Sequence, residues 1–191
     1  MLFRIFIAIS LPEQIKKKLI IFSQKWPELK GSIRWLKKEA LHFTLLFLGP
    51  LTEREILKVS QIIKKITQFQ KPFFLKFKKI CYGPRKIIPP RLIWTELEES
   101  PELLKLVKIL KNEINKAEVL KRIEKREFLP HVSLARIKTW QWQRVEAEER
   151  PNIEEEFNLS FRVDSIQIME SKLKKAGAEY TILENFPFVN Q

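Results

Sequence analysis

The chain carries only two histidines, and both sit in the same chemical setting. His42 lies in "LHFTLLFLGP" (residues 41–50) and His131 in "PHVSLARIK" (residues 130–138), each two residues before a hydroxyl, Thr44 and Ser133. In an extended strand residues i and i+2 project from one face. Each segment therefore presents an imidazole beside a hydroxyl, while Phe43, Leu45, Val132 and Leu134 pack behind. Two imidazoles facing each other across a cleft suit in-line displacement at phosphorus: one takes a proton from water, the other protonates the departing oxygen. The two hydroxyls would donate to the non-bridging oxygens, where charge must be held.

The two segments belong to an internal repeat. Shifting the sequence by 89 residues lays His42-Phe43-Thr44-Leu45 on His131-Val132-Ser133-Leu134 with no gap. The same shift lays residues 3–9 on 92–98 and the Pro12-Glu13 helix start on Pro101-Glu102. Each half reads as strand, Pro-Glu helix, His-x-hydroxyl strand, helix, strand.

The elements that must position these residues follow from the apolar pattern. Short alternating or wholly apolar runs at 2–9, 41–48, 73–82, 91–97, 129–137, 158–170 and 178–184 predict strands. Amphipathic helices are predicted from Pro12, from Thr52 with Glu55 three residues on, and from Pro101. No strand is followed by a glycine-rich phosphate loop, and the strand-rich tail points to antiparallel pairing. The predicted fold is α+β, two pseudo-symmetric lobes of antiparallel sheet with outer helices flanking a central cleft. The lobes, about 1–88 and 89–191, form one compact domain with strands open to exchange between them; no Gly/Ser-rich linker separates them.

Composition narrows the chemistry further. A net charge of +13 favours polyanionic partners. Cys81 is the only cysteine, so an internal disulfide and a thiolate metal cage are excluded. With Asp164 the only aspartate, the ligand stock for a catalytic metal is thin, and no metal or cofactor is expected. No apolar run reaches the roughly 18 residues that span a bilayer. The compartment expected is a reducing cytoplasm, the state a monomer, and the sparse glycines with heavy Lys/Glu usage fit a thermophilic source.

On these blocks the chain resembles a known family. It is similar to the RNA 2′,3′-cyclic phosphodiesterases, also called 2′-5′ RNA ligases, within the 2H phosphoesterases, which are named for two His-x-Thr/Ser motifs. The stretches that carry the resemblance are "MLFRIFIAISLP", "IRWLKKEALHFTLLFLGPL", "PPRLIW", "FLPHVSLARIK" and the closing hairpin "IQIMESKLKKAGAEYTILENFPF". The resemblance implies the two-lobed fold and a metal-independent opening of a terminal ribose 2′,3′-cyclic phosphate to a 2′-phosphate. The partner it implies is RNA with such ends, tRNA fragments among the candidates. Reversible 2′-5′ joining would be the same transfer with a ribose hydroxyl in place of water. On resemblance, His42 is assigned as the acid and His131 as the base, with Thr44, Ser133 and Arg136 on phosphate.

Two departures from the family pattern stand out. Serine replaces the common threonine at position 133, and Thr95-Glu96 stands where a smaller neutral turn is expected; a cleft-facing Glu96 would repel phosphate. Arg136 is an odd number of positions from Ser133, so on a regular strand it points away from the hydroxyl. Trp35, just ahead of the first motif, is a candidate for stacking a terminal base, and Trp140 and Trp142 for an RNA platform. The rival readings are a non-catalytic RNA-end-binding protein and a 2H phosphodiesterase acting on a small cyclic nucleotide.

Overall fold

The computed structural model describes residues 1–26, 31–85, 87–119, 128–174 and 177–189. The elements run β1 (Phe3–Ser10), α1 (Glu13–Ser23), β2 (Ile33–Trp35), β3 (His42–Leu51), α2 (Glu53–Thr67), β4 (Phe73–Gly83) and β5 (Leu92–Leu97). They continue α3 (Pro101–Lys116), β6 (His131–Ile137), α4 (Thr139–Gln143), β7 (Glu154–Glu156), β8 (Ser160–Val163), β9 (Ser165–Lys174) and β10 (Gly177–Pro187). This is the α+β antiparallel architecture that the sequence predicts.

The helix starts follow their local chemistry. At α2, Thr52 and Glu55 close a capping box: the Thr52 hydroxyl accepts from the Glu55 N–H (3.3 Å) and the Glu55 carboxylate from the Thr52 N–H (2.7 Å). At α3, Pro101 takes the first helical position and the Ser100 hydroxyl accepts from the Leu103 N–H at 3.2 Å. Each helix buries one stripe, Ile15, Leu19 and Phe22 on α1 and Leu103, Leu106, Val107, Leu110 and Ile114 on α3. Among the described residues no helix is long and apolar enough to cross a membrane.

The strands form a four-stranded sheet in the order β10-β9-β1-β3 and a six-stranded sheet in the order β2-β6-β5-β4-β7, with β8 also paired to β4. Each sheet holds strands from both halves of the chain. β1 lies between β3 and β9, and β5 between β6 and β4, so β4 and β9 occupy corresponding places in opposite sheets. One apolar core spans both sheets, and a small separate cluster of Phe6, Ala8 and Met169, with Tyr180 against it, lies on the other face of the four-stranded sheet.

Two expectations are corrected. The predicted strand at 158–170 is two strands in different sheets: β8 pairs with β4, and after Asp164 the chain enters β9 beside β1. The 89-residue shift matches β3 to β6 but not the rungs of β1 and β5. Thr44 lies opposite Ala8 and Ser133 opposite Trp94, an offset of 86. Cross-strand pairing, not ungapped sequence, sets the register.

Both histidine strands break regularity at the same place. Ile7 faces Leu46 and Ala8 faces Thr44, so Leu45 is a bulge residue; Ile93 faces Ala135 and Trp94 faces Ser133, so Leu134 is its counterpart. The burial patterns over His42–Leu48 and His131–Ile137 are accordingly identical. Side chains alternate up to the hydroxyl, two consecutive residues turn inward, and the next residue, Phe47 or Arg136, turns out.

Candidate active site

β3 is the edge strand of the four-stranded sheet and lies beside β6 of the other sheet, which brings the two motifs to one cavity. Its volume is about 550 Å³, and His42, Thr44, His131, Ser133 and Arg136 all line it. No carboxylate does, among the described residues. The hydroxyls of Thr44 and Ser133 have no hydrogen-bond partner within the described chain, so both can donate to a ligand.

The two imidazoles are held alike. The Nδ1–H of His42 donates to the Ala40 carbonyl (2.9 Å) and that of His131 to the Leu129 carbonyl (2.7 Å), in each case two residues back. A carbonyl only accepts, so Nδ1 must carry hydrogen and Nε2 is left for the cavity. A neutral ring then offers a lone pair there, a protonated ring an N–H.

The rings differ in what surrounds them. His42 meets Phe6 (centroids 5.0 Å) and the edge of Tyr180 (4.6 Å), while His131 lies on Trp94 (4.4 Å). Burial pushes the His42 imidazole down to about 4, the Ala40 hydrogen bond working against this and the charges of His131 and Lys16 adding to it. Burial also lowers His131, but there the Leu129 hydrogen bond and the Glu96 charge pull upward. Both rings are therefore mainly neutral at neutral pH. Among the described residues, no three His, Cys, Asp or Glu side chains cluster so as to hold a metal ion.

A family model described as the 2′-5′ RNA ligase superfamily matches residues 21–175. The chain belongs to the 2′-5′ RNA ligase superfamily. A Thermotoga maritima protein named RNA 2′,3′-cyclic phosphodiesterase is 28% identical over 188 residues, covering 97% of this chain and 95% of the relative. A Methanocaldococcus jannaschii protein of the same name is 31% identical over 135 residues, 71% of this chain and 72% of the relative. A crystal structure of a Thermus thermophilus protein superposes with a TM-score of 0.84 at 26% identity over 97% of each chain. The α+β fold is thus the 2H phosphoesterase fold of this superfamily.

Within this superfamily chain, not every residue singled out from sequence reaches the cavity. Arg136 does, contrary to the regular-strand expectation, because the bulge at Leu134 restores it to the face of His131 and Ser133. Trp35 does not. It packs against the core, edge-on to Phe22 at 6.4 Å, with its Nε1 buried and unpartnered, so its candidacy as the base-stacking residue is corrected. Strand alternation sends Arg34 outward and Trp35 inward. Trp142 is likewise core, against Tyr82, whereas Trp140 is exposed under Arg144.

Glu96 does not line the cavity. It accepts from Arg85 through two bonds (2.9 and 2.6 Å). Burial raises its carboxyl, but Arg85 and the Cys81 thiol outweigh this, and it remains below the usual range.

Among the wall residues that escaped the sequence reading are Arg4, Phe47 and Tyr180. Arg4 had a signal, a lone charge inside the apolar "LFRIFIAI". Phe47 had one too, since it occupies the repeat position of Arg136. Tyr180 had none, because only the exchange of β9 and β10 into the first sheet carries it to His42.

Proposed function

We propose that this chain hydrolyses RNA-terminal 2′,3′-cyclic phosphate to a 2′-phosphate, without a metal, by paired-histidine acid–base catalysis. The observation that carries the reading is the duplicated device itself: two imidazoles with committed Nδ1 and two unpartnered hydroxyls, each before an equivalent bulge, around one cavity. The Thr44 and Ser133 hydroxyls and the Arg136 guanidinium hold the non-bridging oxygens as charge grows on them. The Nε2 of His131 takes a proton from water, whose oxygen attacks phosphorus. The P–O3′ bond breaks on the opposite side, and the Nε2–H of His42 protonates the departing oxygen.

The charges around the rings suit this assignment. Glu96 makes His131 the better proton acceptor, and burial makes a protonated His42 the stronger donor. The working form, with the proton on His42, is a minority at neutral pH, and the anionic phosphate favours it once bound. Replacing water with the 5′-hydroxyl of a second strand, which attacks phosphorus as the P–O3′ bond breaks, gives a 2′-5′ linkage by the same groups.

The test is incubation of the protein, with EDTA present, with oligoribonucleotides ending in 2′,3′-cyclic phosphate, followed by identification of the product end. A 2′-phosphate supports the reading. A 3′-phosphate, or binding without turnover, overturns it.

A further inference from the structure

Arg136 has a neighbour that the proposed chemistry does not use. In the antiparallel pair β2–β6 the residue directly opposite Arg136 is Arg34. Directly opposed residues share a face, and both side chains are exposed. The Arg34 guanidinium also reaches the β9–β10 hairpin of the other sheet: a Cβ added to Gly177 would lie 3.5 Å from its Nη1. Ala178, the next residue, lines the cavity, as does Arg4 on β1. Arg34 therefore sits at the cavity rim, next to Arg136 and spanning from one sheet to the other.

Like charges directly opposite one another are destabilising unless something compensates them. None of Arg34, Arg136 or Arg4 has a carboxylate or hydrogen-bond partner among the described residues. Cations close by are matched: Lys172 with Glu170 (3.2 Å), Lys38 with Glu13 (2.9 Å), and Lys174 with Glu179. Arg34, Arg136 and Arg4 thus bring uncompensated charge to the place where the cavity opens. Two guanidinium forks side by side match the oxygens of a phosphate group.

We propose that Arg34, at the rim beside Arg136, forms a second anion subsite that takes the internucleotide phosphate preceding the cyclic end. The proposal rests on the reading of the cavity as the cyclic-phosphate site. It makes the preferred substrate an RNA of at least two nucleotides rather than a cyclic mononucleotide.

The test compares three substrates: a nucleoside 2′,3′-cyclic phosphate, a dinucleotide ending in one, and the same dinucleotide with a neutral methylphosphonate linkage. The charged dinucleotide should be turned over with kcat/KM about tenfold above the other two, and Arg34→Gln should remove that advantage. The variant's Tm should not fall, since the substitution relieves repulsion. Equal kcat/KM for all three substrates overturns the subsite and leaves the proposed function standing. An equal loss on all three in Arg34→Gln, or a drop in Tm, makes Arg34 a structural residue and also overturns it. Should no substrate turn over, the function fails, and binding of the 2′-phosphate-ended dinucleotides by fluorescence anisotropy still decides the subsite. Tenfold weaker binding of the methylphosphonate, lost in Arg34→Gln, supports it, and equal binding refutes it.

Discussion

Having two histidines makes one of them open to a clean thermodynamic measurement. Burial holds the His42 imidazole near 4 in the folded protein, against an ordinary 6.5 in the unfolded chain. Between those values the unfolded chain takes up a proton that the folded chain refuses, so stability must fall as pH is lowered through that window. A gap of about 2.5 pH units at 1.36 kcal/mol each corresponds to roughly 3 kcal/mol, complete by about pH 4. His131, also lowered by burial, acts in the same direction. Urea unfolding from pH 7.5 to 4 measures the total, and His42→Gln should show a shallower slope by about that amount. Taking the difference removes the carboxylates, which are common to both proteins. ¹³C-edited NMR of the two Cε1–H signals gives the titrations directly. Saturation with inorganic phosphate should raise the His42 midpoint, because an anion beside the ring favours the imidazolium. A free-protein midpoint near 6.5, or equal slopes in the two proteins, would refute the reasoning.

Other expectations follow from the same geometry. Alanine at either His42 or His131 should lower turnover by about 10²–10⁴, read by single-turnover kinetics, and a 3′-thio leaving group should rescue the His42 variant alone. Rescue of the His131 variant instead would reverse the two roles. Activity should survive EDTA and gain little from added zinc or magnesium, and loss on chelation restored by one metal would contradict the mechanism. A Cβ added at Gly83 would fall within 2.5 Å of Cζ2 of Trp94, the ring that supports His131. Gly83→Ala should therefore destabilise by about 1–3 kcal/mol. It should also cut kcat through misplacement of the His131 ring; an unchanged Tm with unchanged kcat would show that Trp94 does not position His131.

Much of this site could be read from residue order because its chemistry is local. His42 and Thr44, and His131 and Ser133, are two apart on one strand, and their shared face is fixed by the backbone. What escaped depends on irregularity or on distant pairing. Strict alternation aimed Arg136 away, since a bulge leaves no mark in an apolar run where Leu45 and Leu134 look like their neighbours. Trp35 was drawn to the cleft by its nearness in sequence to His42, yet one step of alternation gives that face to Arg34. Tyr180 reaches His42 only because β9 and β10 cross into the other sheet.

The duplication also carries a difference that the motifs alone conceal. The strand opposite each histidine offers a different rung partner: Ser10 faces His42, and Glu96 faces His131. Past the bulge, Phe47 stands where the other motif has Arg136. Two copies of one device with identical surroundings would hold protons equally well and could not divide labour between donor and acceptor. Glu96, kept ionised by Arg85 outside the cavity, supports a proton on one ring without opposing phosphate in the cleft. The departure that looked unfavourable for phosphate binding is thus one of the features that distinguish the two histidines. Glu96→Gln should accordingly lower the His131 midpoint and leave that of His42 in place. The paired NMR titration reads both, and an unmoved His131 would assign the asymmetry to burial alone.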